Sequence, residues 1–491
     1  MKIYINKIVC FAMLFCVAML TSCEDATEII QVGELNEQVA FQNLDDIKSG
    51  LSGVYANYGP DFGGNDAGVD AIYFNEIFTD NVKAGIDNNG QGDLTYAFQL
   101  QPGSDTPLTI WSNRYATINA ANRILRAIDN INFSNSELVE VDHIKGQLLA
   151  IRALAHLDLF QYYTVDYQAG NDLSIINMDF VPSIEDEFER NTVSQTITFI
   201  NNDLDNADLL IDDALATSSG VFFVSRDFVK AVRARLALCT GNYTLANSMA
   251  TQLVNDYPLA NPGQYISMFA DGDDTEVIFE LSRVADDSQV GGLWYFNNVA
   301  VDGGAYIEMS NELFNLFDPM DIRSSVNVNP ASVFNGVDDP SNILLINKYP
   351  SSADGPLTND IKVFRSSEML LIRAETEARN NQLVDAANSI LELRTARYFA
   401  PPAPLAFSSV NEALTEILKE RRLELCFEGH RYLDLKRLGG ELGIGVDRNA
   451  VDCASFSSPT CNLSANDYRF TLPIPTSEIE GNSLISQNPN Y

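Results

Sequence analysis

Apolar residues recur at spacings of three and four through most of the chain, which is the pattern of amphipathic helices. In residues 111–128 this spacing puts Tyr115, Ile118 and Ala121 on one face. The same pattern, with Ser136 as the N-cap of the second helix, predicts seven more helices. They cover residues 138–163, 192–211, 226–239, 245–255, 366–379, 383–398 and 410–427. The sequence therefore predicts a mainly α fold.

Two of the predicted helix pairs align without a gap. Residues 233–249 read RARLALCTGNYTLANSM, and residues 373–389 read RAETEARNNQLVDAANS. Each is a helix, a short polar turn and a second helix, and Ala246 aligns with Ala386 where the two helices would touch. Recurring hairpins with small contact residues are typical of tetratricopeptide-like units, which stack to bury a continuous core.

The segments between the helical hairpins differ from them in composition. Residues 57–101 and 258–360 are rich in Gly, Asn, Asp and aromatic residues, with short strand-like pieces such as 276–281, EVIFEL. Loops of this length inside a compact protein are usually functional. We therefore expect both insertions to contribute to a ligand-binding site.

The first residues of the chain have the pattern of an export signal. Lys2 and Lys7 precede an apolar run, residues 8–20, that is too short to span a membrane comfortably. We expect residues 1–22 to be a signal peptide, residues 23–37 a tether, and residues 38–491 a single body.

Charge restricts the partners of the chain. Its 491 residues carry a formal net charge of −36, which repels a phosphate backbone. We therefore expect no nucleic-acid partner.

The remaining cysteines fall into two classes. Cys239 and Cys426 lie in helical apolar patterns and are predicted to be buried thiols. Cys453 and Cys461 flank a loop rich in Ser and Pro, and their spacing alone leaves open whether they form a disulfide.

No catalytic set is visible in the sequence. The three histidines, His143, His156 and His430, form no close metal pair, and no HExxH, GxSxG, CxxC or phosphate-loop motif occurs. Carboxylates are so abundant that pairs of them are weak evidence for glycosidase chemistry. We predict a protein that is not an enzyme and needs no metal or cofactor, with His143 and His156 on helix surfaces or seams and His430 at a helix end.

Aromatic residues in the two insertions are the candidate ligand contacts. Flat aromatic faces beside amides and carboxylates suit sugar rings, although the same residues often form a core. The predicted ligand-binding residues are Trp294, Tyr295, Tyr96, Tyr73, Asp80 and Asn81.

The most charged stretch is residues 420–439, ERRLELCFEGHRYLDLKRLG. Its charges lie close to several apolar residues, which favours a satisfied polar network between helices over an active site. Arg421 and Glu424 are three residues apart, as are Arg431 and Asp434, so the spacing predicts that these pairs form locally.

The same stretch resembles a signature of the SusD/RagB family of outer-membrane nutrient-binding lipoproteins. Further matches to that family lie along the mature chain: 51–55 (LSGVY), 370–375 (LLIRAE), 472–475 (LPIP) and 487–491 (QNPNY). Asn490 stands where the family usually has glycine, at a position that needs a positive φ, which Asn tolerates. Leu20-Thr21-Ser22-Cys23 resembles the lipobox of bacterial lipoproteins, the alternative being an ordinary signal peptide in which Cys23 occurs by chance. The Glu24-Asp25 pair resembles the acidic tag of Bacteroidetes-type surface lipoproteins.

This resemblance implies a helical body of about four tetratricopeptide-like units with a ligand site on loops. It also implies lipidation at Cys23, an outer-membrane location facing the cell exterior, and a SusC-like TonB-dependent transporter as partner. The implied function is to capture oligosaccharide or polysaccharide and deliver it to that transporter without catalysis. A RagB-like peptide-binding protein is the alternative, and a surface glycoside hydrolase is a more distant one.

Overall fold

The structure, a computed structural model, describes residues 40–59, 71–183, 185–285, 287, 289–295, 304–400, 402–456 and 460–491. The predicted signal peptide, Cys23 and the tether lie outside these residues. No helix in the described ranges is both long and apolar enough to cross a membrane.

Nine helices of the described chain have 14 residues or more. They are α1 (Leu44–Tyr58), α2 (Asp105–Ile128), α3 (Leu138–Tyr163), α4 (Val193–Leu210), α5 (Arg226–Cys239), α6 (Tyr243–Asp256), α7 (Ser366–Arg379), α8 (Leu383–Arg397) and α9 (Val410–Leu425). All eight predicted helices are present, and α2 begins six residues before its predicted start. The mainly α prediction is confirmed.

The long helices pack as four successive pairs. These pairs are α1 with α2, α3 with α4, α5 with α6, and α7 with α8, and the third pair stacks on the fourth through α6 and α7. Ala246 and Ala386 are both fully buried, as expected of small residues at helix contacts. The packing agrees with the predicted tetratricopeptide-like arrangement.

Helix starts follow local side-chain hydrogen bonds. The Thr192 side chain accepts from the Gln195 backbone N–H at 3.3 Å, and the Gln195 side chain accepts from the Thr192 N–H at 2.8 Å, which completes a capping box on α4. The predicted Ser136 cap of α3 is wrong, because Glu137 occupies the N-cap position. Its carboxylate instead accepts from the backbone N–H and the hydroxyl of Ser134, which closes a turn before the helix.

Short antiparallel strand pairs organise the insertions. The eight described strands are β1 (Val82–Ala84), β2 (Val277–Leu281), β3 (Ile307–Met309), β4 (Ser351–Ser352), β5 (Gly355–Pro356), β6 (Ile361–Arg365), β7 (Val446–Asp447) and β8 (Asn462–Leu463). β1 pairs with β3, β2 with β6, β4 with β5, and β7 with β8. Every residue of β2 is buried, so this strand, which the sequence predicted, lies in the interior between the second insertion and the long helices.

The cysteines behave as two classes. Cys239 and Cys426 are free and buried, as predicted, and Cys453 forms a disulfide with Cys461. At the C-terminus Asn490 has a φ of 72°, which confirms the expected left-handed position.

Candidate functional site

The charged stretch at the end of α9 is held together by ion pairs to distant elements. Glu424 is fully buried, and its carboxylate accepts hydrogen bonds from Arg397 at 3.0 Å, Arg365 at 3.1 Å and Arg323 at 3.4 Å. Burial alone would raise the pKa of the Glu424 carboxyl, but the three guanidinium groups hold it well below its usual range. The predicted polar network between helices is confirmed.

The predicted local pairs are wrong. Arg421 Nε donates to Asp434 at 2.8 Å, and Arg431 donates to the Asp80 carboxylate at 2.8 and 2.7 Å. Between these arginines the backbone turns, because Phe427 has a φ of 64° and Gly429 a φ of 85°. Each predicted pair lies on one side of this turn, but Glu424 is already held by Arg323, Arg365 and Arg397. Arg421 therefore reaches across the turn to Asp434, and Arg431 pairs with the distant Asp80.

Asp80 and Asn81, predicted as ligand contacts, are part of this network. Asp80 receives both donors of Arg431, and Asn81 Oδ1 accepts from Arg422 Nε at 2.8 Å. The amide of Asn81 donates to the buried Glu76 carboxylate at 2.7 Å. Their polar atoms serve to anchor the segment before β1 to the charged stretch.

The predicted aromatic residues contact one another or the core. Trp294 lies in a short 3₁₀ helix, Val290–Trp294, and its ring is 5.8 Å from that of Tyr73. The Tyr295 hydroxyl donates to the Ile346 carbonyl. Tyr96 lies between the Phe456 ring at 3.7 Å and the Arg448 guanidinium at 3.5 Å.

The six predicted ligand residues are thus internal in this structure. Asp80 has the largest exposed fraction of the six, 4%. In this conformation none of them offers a face to a ligand, and their role in binding stays a prediction that would require the surrounding loops to open.

An exposed aromatic surface lies elsewhere in the second insertion. The Phe334 ring is 48% exposed, and it rests on the Phe314 ring at 5.0 Å between centroids with 34° between planes. Asn335 and Val337 beside it are exposed, and Asp338 accepts from the neighbouring Asn315 amide at 3.0 Å. We call Phe314, Phe334, Asn335, Val337 and Asp338 the Phe334 surface.

Buried amides fix the loop that carries this surface. The Asn342 side chain donates to Asn311 Oδ1 at 2.6 Å and to the Gly336 carbonyl at 2.8 Å, and it accepts from the Asn335 N–H at 2.7 Å. The Asp452 carboxylate holds Asn311 in turn, at 2.9 Å from its N–H and 2.7 Å from its amide. The Phe334 surface is therefore preorganised, which lowers the entropic cost of binding.

The sequence analysis did not identify the Phe334 surface, because the pattern that marks it is only a few residues long. Val333-Phe334 precedes Asn335-Gly336, a dipeptide that marks a turn, so the aromatic residue comes at the edge of a tight loop. Burial of the Phe334 ring could not be judged from this pattern.

The described side chains that could bind a metal or transfer a proton are mostly held in hydrogen bonds within the protein. The described residues contain no group of three His, Cys, Asp or Glu placed to hold a metal ion. His156 is fully buried, donates to the Arg152 carbonyl at 2.8 Å and accepts from the Met178 N–H at 3.1 Å. The arrangement of the Phe334 surface suits reversible contact with a ligand that has flat apolar and polar faces.

Two family models match this chain. One, described as "Starch-binding associating with outer membrane", matches residues 37–238, and the other, described as "SusD family", matches residues 335–491. Two SusD-like proteins of Formosa agariphila are similar in sequence. One is 22% identical over 89% of this chain and 92% of its own length, and the other is 26% identical over 97% and 99%.

Solved structures share the fold. A SusD-like carbohydrate binding protein from Bacteroides vulgatus superposes with a TM-score of 0.75 at 21% identity, covering 91% of this chain and 98% of its own. Surface glycan-binding protein A from Bacteroides thetaiotaomicron, solved in complex with laminarihexaose, superposes with a TM-score of 0.67 at 18% identity, covering 91% and 99%.

Proposed function

The chain belongs to the SusD-like family, and from this premise we propose that it is a cell-surface glycan-binding lipoprotein. It captures an oligosaccharide or polysaccharide and delivers it to a SusC-like TonB-dependent transporter of the outer membrane. No bond of the glycan is made or broken in this process.

The family match over residues 37–238 carries this proposal, because its description names both starch binding and the outer membrane. Those residues include the first two helix pairs and the first insertion. The relative that binds laminarihexaose has the same fold, which supports a glycan as the ligand class.

The Phe334 surface is our proposed contact for the glycan. The C–H face of a sugar ring stacks on the exposed Phe334 ring, and the sugar hydroxyls donate to the side-chain oxygen of Asn335 and to the Asp338 carboxylate. The Asn335 amide nitrogen is held by Ser341. Phe314 supports the Phe334 ring from below, at 5.0 Å. The net charge of −36 disfavours a polyanionic ligand, so a neutral glycan is preferred.

The anchor and the partner complete the proposal. A lipidated Cys23 would hold the body at the membrane, since more than one acyl chain gives stable anchoring. The lipoprotein then acts as a lid on the transporter and hands over the captured ligand.

Binding of residues 24–491 to neutral glycans, anionic glycans and peptides tests the proposal. We expect saturable binding to a neutral glycan, with Phe334→Ala weakening it about tenfold, or ~1.4 kcal/mol. Phe399→Ala is the matched control, because Phe399 is 63% exposed and outside the Phe334 surface. Binding to peptides alone would favour the RagB-like alternative, and release of sugar products would favour a hydrolase.

A further inference from the structure

A short segment beside the Cys453–Cys461 disulfide contacts both insertions. We call residues 448–456 the disulfide segment. On the side of the first insertion, Arg448 donates to the Tyr96 carbonyl at 2.5 Å, and its guanidinium lies 3.5 Å from the centre of the Tyr96 ring. The first insertion therefore holds the disulfide segment from one side.

The disulfide segment meets the second insertion through the carboxylate of Asp452. This residue is only 1% exposed, and its Oδ1 accepts from the backbone N–H and the side-chain amide of Asn311, at 2.9 and 2.7 Å. Its Oδ2 accepts from the Glu312 N–H at 3.2 Å. Asp452 directly precedes Cys453, so the disulfide restrains the backbone from which this carboxylate projects.

Two buried amides connect this carboxylate to the Phe334 surface. Asp452 takes the side-chain nitrogen of Asn311, which leaves the oxygen of that amide to accept from Asn342 Nδ2 at 2.6 Å. The Asn342 side chain also donates to the Gly336 carbonyl at 2.8 Å and accepts from the Asn335 N–H at 2.7 Å. We call Asp452, Asn311 and Asn342 the relay. Direct hydrogen bonds thus run from the disulfide segment to a proposed glycan contact.

Lys83 of β1 restrains the end of the relay in a different way. Its ammonium donates to the backbone carbonyl of Asn342 and lies 3.3 Å from the Glu308 carboxylate. This contact fixes the backbone of Asn342, whereas Asn311 fixes the direction in which its side-chain amide faces. Loss of Asp452 therefore leaves the loop attached but frees its amides to turn.

We propose that Asp452 is a positioning residue for glycan binding at the Phe334 surface, and that the Cys453–Cys461 disulfide keeps it in place. This role rests on the proposed function, because it concerns the affinity of the same site. A loop that already has its bound geometry loses less conformational entropy when the ligand binds. The relay therefore raises the affinity for a glycan that Asp452 itself does not contact.

Calorimetry on residues 24–491 tests this role, with maltohexaose and laminarihexaose as neutral probes. We expect Asp452→Ala, and separately the double substitution Cys453→Ser and Cys461→Ser, to weaken binding about fivefold. Asp452→Asn keeps a side-chain oxygen that can accept both bonds from Asn311, so its affinity should stay within about twofold of the wild type. An Asp452→Asn protein that binds as weakly as Asp452→Ala would overturn the assignment.

Asp271→Ala is the matched control for a general loss of stability. The Asp271 carboxylate lies in the same insertion and likewise accepts from an amide and a backbone N–H, those of Asn359 and Asp360, both at 3.0 Å. It is not part of the relay, so Asp271→Ala should bind the probes like the wild type. Equal weakening in Asp271→Ala and Asp452→Ala would overturn the positioning role.

Amide hydrogen exchange without glycan gives a readout that does not depend on binding. The Asn335 N–H, which Asn342 holds, should exchange faster in Asp452→Ala than in the wild type. The Val333 N–H is the internal control, because it donates to the Ile343 carbonyl at 2.8 Å and should change less. Unchanged exchange at Asn335 would overturn the positioning role.

The two measurements separate this role from the proposed function. Wild-type protein that binds neither hexasaccharide nor any other glycan would contradict the proposed function and the affinity effect together. Faster exchange at Asn335 would then still show that Asp452 holds the loop. The double serine variant carries the same two measurements if Asp452→Ala fails to fold, and wild-type affinity and exchange in that variant would overturn the role of the disulfide.

Discussion

The indole ring of Trp294 stacks on the phenol ring of Tyr73, with 5.8 Å between the ring centroids and 18° between the planes. The edge of the Phe427 ring completes the contact at 5.6 Å from the indole. Trp294 and Tyr73, both predicted to contact a ligand, therefore pack against each other. Through Phe427 this contact also joins the two insertions to the residues that follow α9.

Trp294→Ala should lower the free energy of unfolding by about 3–5 kcal/mol, because it empties a fully buried ring site. Chemical denaturation followed by circular dichroism measures this loss. Phe399→Ala, at an exposed ring, should change the unfolding free energy by less than ~0.5 kcal/mol. A Trp294→Ala protein with wild-type stability and no glycan binding would show that the ring contacts ligand instead.

Glu424→Gln should cost about 3–5 kcal/mol of stability, because it leaves the buried charges of Arg323, Arg365 and Arg397 undercompensated. The matched control is Glu441→Gln, whose carboxylate pairs with Arg379 and is 43% exposed. That surface pair should contribute ~0–1 kcal/mol. Equal effects of the two substitutions in urea denaturation would contradict the proposed role of the network.

The Glu424 network also predicts a pH dependence. Since the folded protein holds the pKa of Glu424 below its ordinary 4.5, the ion pairs contribute their full stability above pH 4.5. This contribution is lost as the pH falls below that value. Denaturation midpoints measured between pH 3 and 7 should therefore fall less steeply in Glu424→Gln than in the wild type.

His430 and His156 should be silent near neutral pH. Burial lowers the pKa of His430 to about 4 and that of His156 to about 3, so neither ring takes up a proton between pH 5 and 8. Nuclear magnetic resonance of the imidazole protons measures this directly, and His430→Gln assigns one signal. A His430 signal that titrates near pH 6.5 would show that its ring is solvated.

The lowered pKa of His430 has a consequence for stability with a definite sign. The unfolded chain takes up a proton at this residue below pH 6.5, whereas the folded chain does so only near pH 4. The contribution of His430 to stability is therefore constant above pH 6.5 and declines as the pH falls from 6.5 to 4. His430→Gln should remove that decline, which thermal unfolding at several pH values will show.

The disulfide should stabilise the fold through the unfolded chain. Cys453 and Cys461 are eight residues apart, and closing so short a loop is worth ~2–3 kcal/mol in the chain-entropy description. The double substitution Cys453→Ser and Cys461→Ser should lower the unfolding free energy by that amount. Reducing the wild-type protein should match it, and an unchanged midpoint after confirmed reduction would contradict this account.

Helix positions were predictable where a helix buries one apolar face, as α4 and α5 do. α3 has no such stripe, because most of its residues after Ile144 are buried, and the early start of α2 at Asp105 does not follow from periodicity either. Pro107 in that first turn weakens the pattern but is tolerated there, since the first helical N–H groups lack intrahelical partners.

Partners of the charged and aromatic residues were not predictable, because spacing reports only which residues share a face. The arginines that meet Glu424 come from β6, α8 and a short helix at Arg323–Asn327. Trp294 was predicted to contact a ligand, yet its ring packs on Tyr73, which lies in the other insertion. The arginines lie 27, 59 and 101 residues from Glu424, and contacts between residues so far apart in the chain leave no local signal in a single sequence.

The Asp80–Arg431 pair spans 351 residues of chain, and this separation bears on the order in which the protein can fold. During synthesis from the N-terminus, Asp80 is present long before Arg431. An unpaired carboxylate is costly to bury, so we expect the segment around Asp80 to stay hydrated until the residues around Arg431 have been synthesised. Late closure of this kind ties the packing of the first insertion to the arrival of the C-terminal part of the chain.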